Sequence, residues 1–235
     1  PSVVIASGIQ NLKIKAFQSD NEQHAGLFIQ YAQLIFIGTE SEEFVLKVLD
    51  RFKYENFFFI FTKGTKTEQL HFIPKNYNFY PRYKFLNWTD LKKTPVFDSN
   101  IYDFSQINEI DFLKIKDDAT SKLLKFHCLH YADYQEFVKS GGGFLVKYKQ
   151  EIISLCSSFC HFEGHSEIQV DTHIDHQRQN LAAACSYAFI KKCKSYKITP
   201  HWDAASYISR DLALKIGFNN LEEYFMIYKG ELSLT

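Results

Sequence analysis

The chain changes its hydrophobic period most sharply between residues 170 and 190. Across residues 167–174, Ile168, Val170, Thr172 and Ile174 fall on one face, and Glu167, Gln169, Asp171 and His173 on the other. That two-residue alternation predicts a strand with one core face and one polar face. Leu181, Ala184, Cys185, Ala188 and Phe189 then recur at helical spacing, with Lys191, Lys192 and Lys194 placed where cations suit the end of a helix. Ala182, Ala183 and Ala184 are small enough for this helix to lie close on a sheet. The joint between strand and helix carries Gln177, Arg178, Gln179, Asn180, Leu181 and Ala182. A helix start exposes amides without intrahelical partners and the positive end of the dipole, so this joint is a natural anion cradle.

The same pattern reading extends outward. Residues 144–149, 152–162 and 167–174 predict an antiparallel meander, with turns at Gln150 and Glu151 and at Glu163 and Gly164. Residues 198–202 predict a short strand, a second helix runs from Ser206 and ends at Gly217, and residues 224–228 predict a last strand. Upstream, residues 107–115 read as a strand, and 118–126 and 131–138 as short helices. Gly141, Gly142 and Gly143 read as a turn, because no Gly-Lys-Ser/Thr follows them. In the first part, residues 3–16 read as a strand and connection, and 20–31 as a weak helix. Residues 34–37 and 57–61 read as strands, Thr39 with Glu42 as a capping box before a helix reaching Phe52, and 70–73 as a hairpin return. Residues 76–88 read as an irregular or edge segment. Polar and proline-marked residues 90–100 suggest a boundary near residue 105, between an N-terminal α+β region (1–105) and a second region (106–235).

Composition narrows the function classes. Of 235 residues, 46% are hydrophobic and 23% charged, which fits a folded chain with a proper core. Lys plus Arg and Asp plus Glu are balanced at 27 each, so no whole-chain field favours nucleic acid or an anionic membrane. No apolar run approaches the roughly 20 residues that cross a bilayer, and a cytoplasmic location is expected. The odd number of cysteines, 5, fits reduced thiols. Cys156, Cys160, His161, His165, His173 and His176 are the densest set of metal-ligand types, but they lack the tight spacing of a zinc site, and no metal is expected.

The order of elements, the joint and the tail together resemble the GNAT acyltransferase superfamily over roughly residues 107–228. Its junction signature is Q/R-x-x-G-x-G/A, which Gln177 to Ala182 fill with Asn180 in place of glycine. One branch ends W-D-x-x-N-x-x-S-x-x-L-A-x-K-L-G-F. Trp202, Asp203, Ser209, Leu212, Ala213, Lys215, Gly217 and Phe218 follow it, with Ser206 for its asparagine. The resemblance implies an α/β (α+β) fold with a mixed, mostly antiparallel sheet flanked by helices.

It also implies transfer of an acetyl group from acetyl-CoA to an amine by direct attack, with a small-molecule or peptide acceptor. By carry-over, Glu167 is the candidate base. Backbone groups of Thr172, His173 and Ile174 would pair with the pantetheine arm, and Gln177, Arg178, Gln179, Asn180, Leu181 and Ala182 would hold the pyrophosphate. Ser206 and Ser209 would reach the cofactor from the second helix. The family's usual general-acid tyrosine position is Ala213, leaving Tyr207, Tyr224 or solvent for that role. Asn180, Ser206 and Ala213 also support the alternative, a catalytically inactive GNAT-like module that binds coenzyme A or another protein. The aromatic N-terminal region is expected to shape the acceptor site, whereas acceptor identity and oligomeric state are not legible.

Overall fold

The computed structural model describes residues 14–18, 26–31, 34–39, 41–55, 57–61, 71–90, 94–118, 121, 123–124 and 126–230. Two compact units emerge: Pro1–Lys84 with Ala204–Tyr207 and Leu221–Thr235, and Phe85–Asp203 with Ile208–Asn220. The expected boundary near residue 105 lies inside a strand, Asp103–Gln106.

In the first unit, β1 (Ile14–Gln18), β2 (Gly26–Tyr31) and β3 (Leu34–Thr39) pair antiparallel in succession. The segment read as a weak helix thus ends in β2, because pairing on both sides outweighs a marginal helical pattern. Residues 3–13 and 19–25 lie outside the described residues. β3 then pairs parallel with β4 (Phe58–Phe61) through α1 (Glu42–Arg51). Phe44, Val45, Val48 and Leu49 bury one side of α1 against Ile35, Ile37 and Phe59. Its cap is Ser41 rather than Thr39: Ser41 Oγ accepts the Phe44 amide at 3.3 Å, while Thr39 Oγ1 accepts from the Ser41 amide. Ser41→Ala should therefore cost about 1 kcal/mol in denaturant unfolding.

Residues 71–73 form a turn rather than a strand, and 62–70 lie outside the described residues. The segment read as irregular is a long strand, β5 (Tyr77–Trp88), with Tyr77, Tyr83 and Phe85 buried. Pro81 and the polar residues between them obscure that alternation in the sequence.

The second unit holds β6 (Asp103–Gln106), β7 (Gly143–Tyr148), β8 (Glu151–Phe162), β9 (His165–Thr172) and β10 (Thr199–Ala204), in the order β10-β9-β8-β7-β6. β6 to β9 pair antiparallel, and β9 pairs parallel with β10. The first turn of the meander is Lys149 and Gln150, both at positive φ, one residue earlier than expected; the second is Glu163 and Gly164. Residues 107–115 do not form a strand. Asn108 Oδ1 accepts the Asp111 amide at 2.9 Å and starts α2 (Glu109–Asp117), which buries Phe112 and Ile115. This cap and the three-residue apolar spacing outweigh the short apolar run. The described residues of 118–126 form turns instead of the expected helix, and α3 (Tyr134–Lys139) follows, capped by Asp133. Ile107, Phe112, Phe137, Leu145 and Leu155 form the core under α2 and α3.

A bulge between Ser158 and Cys160 changes the face that β8 presents. Cys156 faces Val170, but Cys160 faces Glu167, so the two thiols do not share the strand face that alternation alone predicts. α4 (Leu181–Ser195) buries Cys185, Phe189, Ile190 and Cys193. It is tied to the segment after β5 by an exposed and a buried residue: Asp90 accepts from Lys191 Nζ at 2.8 Å and from Tyr187 OH at 2.9 Å. The Lys191 bond first, then Tyr187, holds the Asp90 carboxyl below the usual carboxylate range. α5 (Tyr207–Lys215) follows β10, and β11 (Phe218–Lys229) is longer than the expected final strand.

Candidate active site

β9 is saturated on one edge and open on the other. It pairs with β8 from His165 through Thr172. On its other edge, the pairing with β10 covers only His165↔Thr199, Ser166↔Pro200 and Glu167↔His201. β9 runs on to Thr172 beyond that point, leaving backbone donors and acceptors without a strand partner, a template for an added extended chain. Backbone groups alternate between the two edges of a strand. The His173 amide donates to Ile153 O at 2.7 Å and its carbonyl accepts from His176, so both of its groups are used. His173 thus directs its backbone to β8 and the following turn rather than to the open edge. Alternation turns Thr172 and the Ile174 amide toward that edge instead. The side chain of Thr172 stays with β8, where Ser154 Oγ lies 2.8 Å from Thr172 Oγ1.

Beyond β9, a short turn at Ile174–His176 leads into the exposed crossing. Arg178 and Asn180 both adopt φ +62, the left-handed region that glycine usually fills. Asn tolerates this conformation better than most residues. Its side chain points away from the helix start: Asn180 Nδ2 donates to Val96 O at 3.0 Å, and Asn180 Oδ1 accepts from Lys215 Nζ at 2.7 Å. No side chain caps α4 and no acidic residue sits in its first turn. Leu181, Ala182 and Ala183 therefore begin the helix with amides unclaimed by a cap and no carboxylate to repel an anion. These features fit a pyrophosphate. Lys215 adds a cation at the crossing that periodicity could not locate, because the contact spans 35 positions.

Glu167 lies on β9 at the last residue pair before the open edge begins, half-buried between Cys160 of β8 and His201 of β10. Gln169 and Asp171 continue its polar face. Asp171 Oδ2 accepts from Gln169 Nε2 at 2.6 Å and lies 3.1 Å from His127 Nε2; His127 Nδ1 is 2.7 Å from Ser157 Oγ. His127 and Ser157 are 1% and 0% exposed, so the hydroxyl and imidazole of this Ser-His-Asp set are buried out of reach of a substrate and hold the partly exposed Asp171 in place. The cysteines are equally unsuited to that work. All five are buried and outside any disulfide, and burial pushes the Cys128 and Cys193 thiols up to about 12.

The helix residues divide. Ser209 Oγ accepts from Trp202 Nε1 at 3.1 Å, a bond that joins α5 to β10. Ser206 belongs to the first unit, as does Tyr207, whose exposed ring packs against Tyr83. Ala213 is fully buried and offers no acid.

In sequence comparison, the model of the GNAT acetyltransferase family covers residues 2–227. The chain belongs to the GNAT acetyltransferase family. A curated relative, "Uncharacterized N-acetyltransferase YdfB" of Bacillus subtilis, is 30% identical over 125 residues. That match takes in 50% of this chain and 47% of the relative, so the chain spans about half of the relative's length. Among solved structures, a GCN5-related N-acetyltransferase-like protein from Streptococcus suis aligns with TM-score 0.71 and 20% identity, covering 97% of this chain and 93% of that one. A GCN5-related N-acetyltransferase from Kribbella flavida aligns with TM-score 0.61 and 12% identity, covering 99% and 98%. At these identities the likeness is one of fold: the GNAT α+β architecture, a mixed sheet flanked by helices. No helix among the described residues is long and apolar enough to cross a membrane.

Proposed function

We propose that this GNAT chain is an N-acetyltransferase that uses acetyl-CoA and acetylates a small-molecule or peptide amine. The observation that carries the proposal is the unpaired edge of β9 leading directly into the uncapped start of α4. The edge suits the peptide-like pantetheine arm, and the helix start suits a pyrophosphate. Acetyl-CoA, when bound, supplies an acyl thioester that an amine can attack with loss of the thiol.

The chain's own residues have separable tasks. Thr172 and Ile174 offer backbone groups to the arm, while Gln177, Arg178, Gln179, Asn180, Leu181 and Ala182 form the phosphate cradle, with Lys215 beside it. Glu167, where β9 and β10 part, accepts the proton of the attacking amine, directly or through water. No acid is needed from Ala213, because an ordinary thiol ionises near pH 8.5 and can leave as a thiolate or take its proton from solvent. The catalytic role is assigned to the second unit, Phe85–Asp203 with Ile208–Asn220, and the location to the cytoplasm.

Asn180 gives a direct test of the cradle. Asn180→Gly keeps the left-handed backbone and should leave coenzyme A affinity within about threefold. Asn180→Val places a β-branched residue at positive φ and should weaken it by about tenfold or more, corresponding to 1 to 2 kcal/mol of backbone strain. Calorimetric titration of both variants with coenzyme A checks the order. Equal loss in both would mean that the bonds to Val96 and Lys215 matter more than the backbone.

A further inference from the structure

The proton taken by Glu167 must leave the site before the next turnover, and β9 and β10 carry a pair of imidazoles beside it. His201 is the register partner of Glu167 across the parallel pair, and His165 lies two residues before Glu167 on the same strand face. Neighbouring strands lie about 4.8 Å apart, so register partners on one face are side-chain neighbours. His165 Nδ1 and His201 Nε2 are 2.8 Å apart, with the rings at 5.1 Å between centroids. His165 is exposed and His201 half-buried. His165 and His201 are thus in contact, and His201 is the cross-strand neighbour of Glu167.

The geometry points to His201 and His165 as a proton-exit relay that serves Glu167, an inference that rests on reading Glu167 as the base. A proton passes from the Glu167 carboxyl to His201 Nδ1. The proton on His201 Nε2 moves to His165 Nδ1, and the one on His165 Nε2 goes to water. One proton enters and one leaves. Both rings end in the other tautomer and reset by exchange with water. The 2.8 Å contact requires one nitrogen to donate and the other to accept, so it holds with both rings neutral or with a single added proton, the two states the relay visits.

His161 of β8 lies in the field of His165 and faces the charge of Glu136 on α3. Burial first, and then His165, hold the His161 imidazole below the ordinary histidine value. Asp171, four residues beyond Glu167 on β9, and Asp203, two beyond His201 on β10, are the other carboxylates on the strands of the pair.

Two measurements test the relay. Imidazole nitrogen NMR of the unliganded protein at one pH reads the link to Glu167 without turnover. Glu167→Gln should shift the ring nitrogen resonances of His201 and, through the 2.8 Å contact, those of His165. Unchanged resonances in both rings overturn the relay. In turnover, His201→Phe should lower kcat about tenfold with coenzyme A affinity unchanged, and added imidazole should restore much of the loss. His201→Asn, which keeps a polar side chain of similar length, should show the same loss and the same rescue. Wild-type turnover in both variants, insensitive to imidazole, also overturns the proposal. If the wild type acetylates no amine, the reading of Glu167 as base fails; the NMR result still decides whether the pair and Glu167 are coupled.

Discussion

Glu167→Gln should lower kcat by about two to four orders of magnitude while leaving coenzyme A affinity within about twofold. The amide keeps the shape and hydrogen-bonding reach of the carboxylate but cannot accept a proton from an ammonium. Glu167 lies ten positions before the crossing starts at Gln177, away from the amides and lysine assigned to phosphate binding. Its loss should therefore appear in kcat and spare affinity. A matched fall in affinity would place Glu167 in the binding surface. Turnover equal to the wild type would remove it as the base.

Gly217→Ala should destabilise the protein by more than about 3 kcal/mol, the largest effect expected of a single added methyl group here. Gly217 has φ +105, and an added Cβ would lie 2.1 Å from Thr89 O and 3.2 Å from Trp88 Nε1. The obstacle is backbone, so no rotamer change can relieve it. The same junction carries Thr89 N to Gly217 O at 2.9 Å and Trp88 Nε1 to Ile216 O at 2.7 Å, which join the end of β5 to the residues after α5. Gly230 supplies the control: it has φ +90 but nothing within 4 Å of an added Cβ. Gly230→Ala should then cost only the backbone strain, about 1 kcal/mol. Urea unfolding with an unchanged m-value would separate the two. Similar losses in both would show that Thr89 moves aside easily.

The legible parts of the chain are those whose pattern is local. The meander β7 to β9, the helix α4 and the left-handed Gly217 all follow from period, turn residues and spacing. The segment 107–115 misled because its apolar residues suit a strand, and only the Asn108 cap and the burial of Phe112 and Ile115 decide for a helix. β5 was hidden because Pro81 and interleaved polar residues break the alternation that Tyr83 and Phe85 keep.

At the site, the crossing was visible as a strand-to-helix joint, and Asn180 as the residue in the glycine position. Its φ, its bonds to Val96 and Lys215, and the commitment of the His173 backbone depend on contacts distant in sequence or on turn geometry. The same holds for His201 beside Glu167, since parallel register across separate strands has no signature in a single sequence.

The central claim is that the crossing and the open edge of β9 together hold coenzyme A. Isothermal titration with coenzyme A, run beside pantetheine, tests both parts at once. The expected result is saturable binding of one coenzyme A per chain, with pantetheine at least tenfold weaker because it lacks the pyrophosphate. No heat at millimolar coenzyme A, or equal affinity for the two ligands, would contradict it.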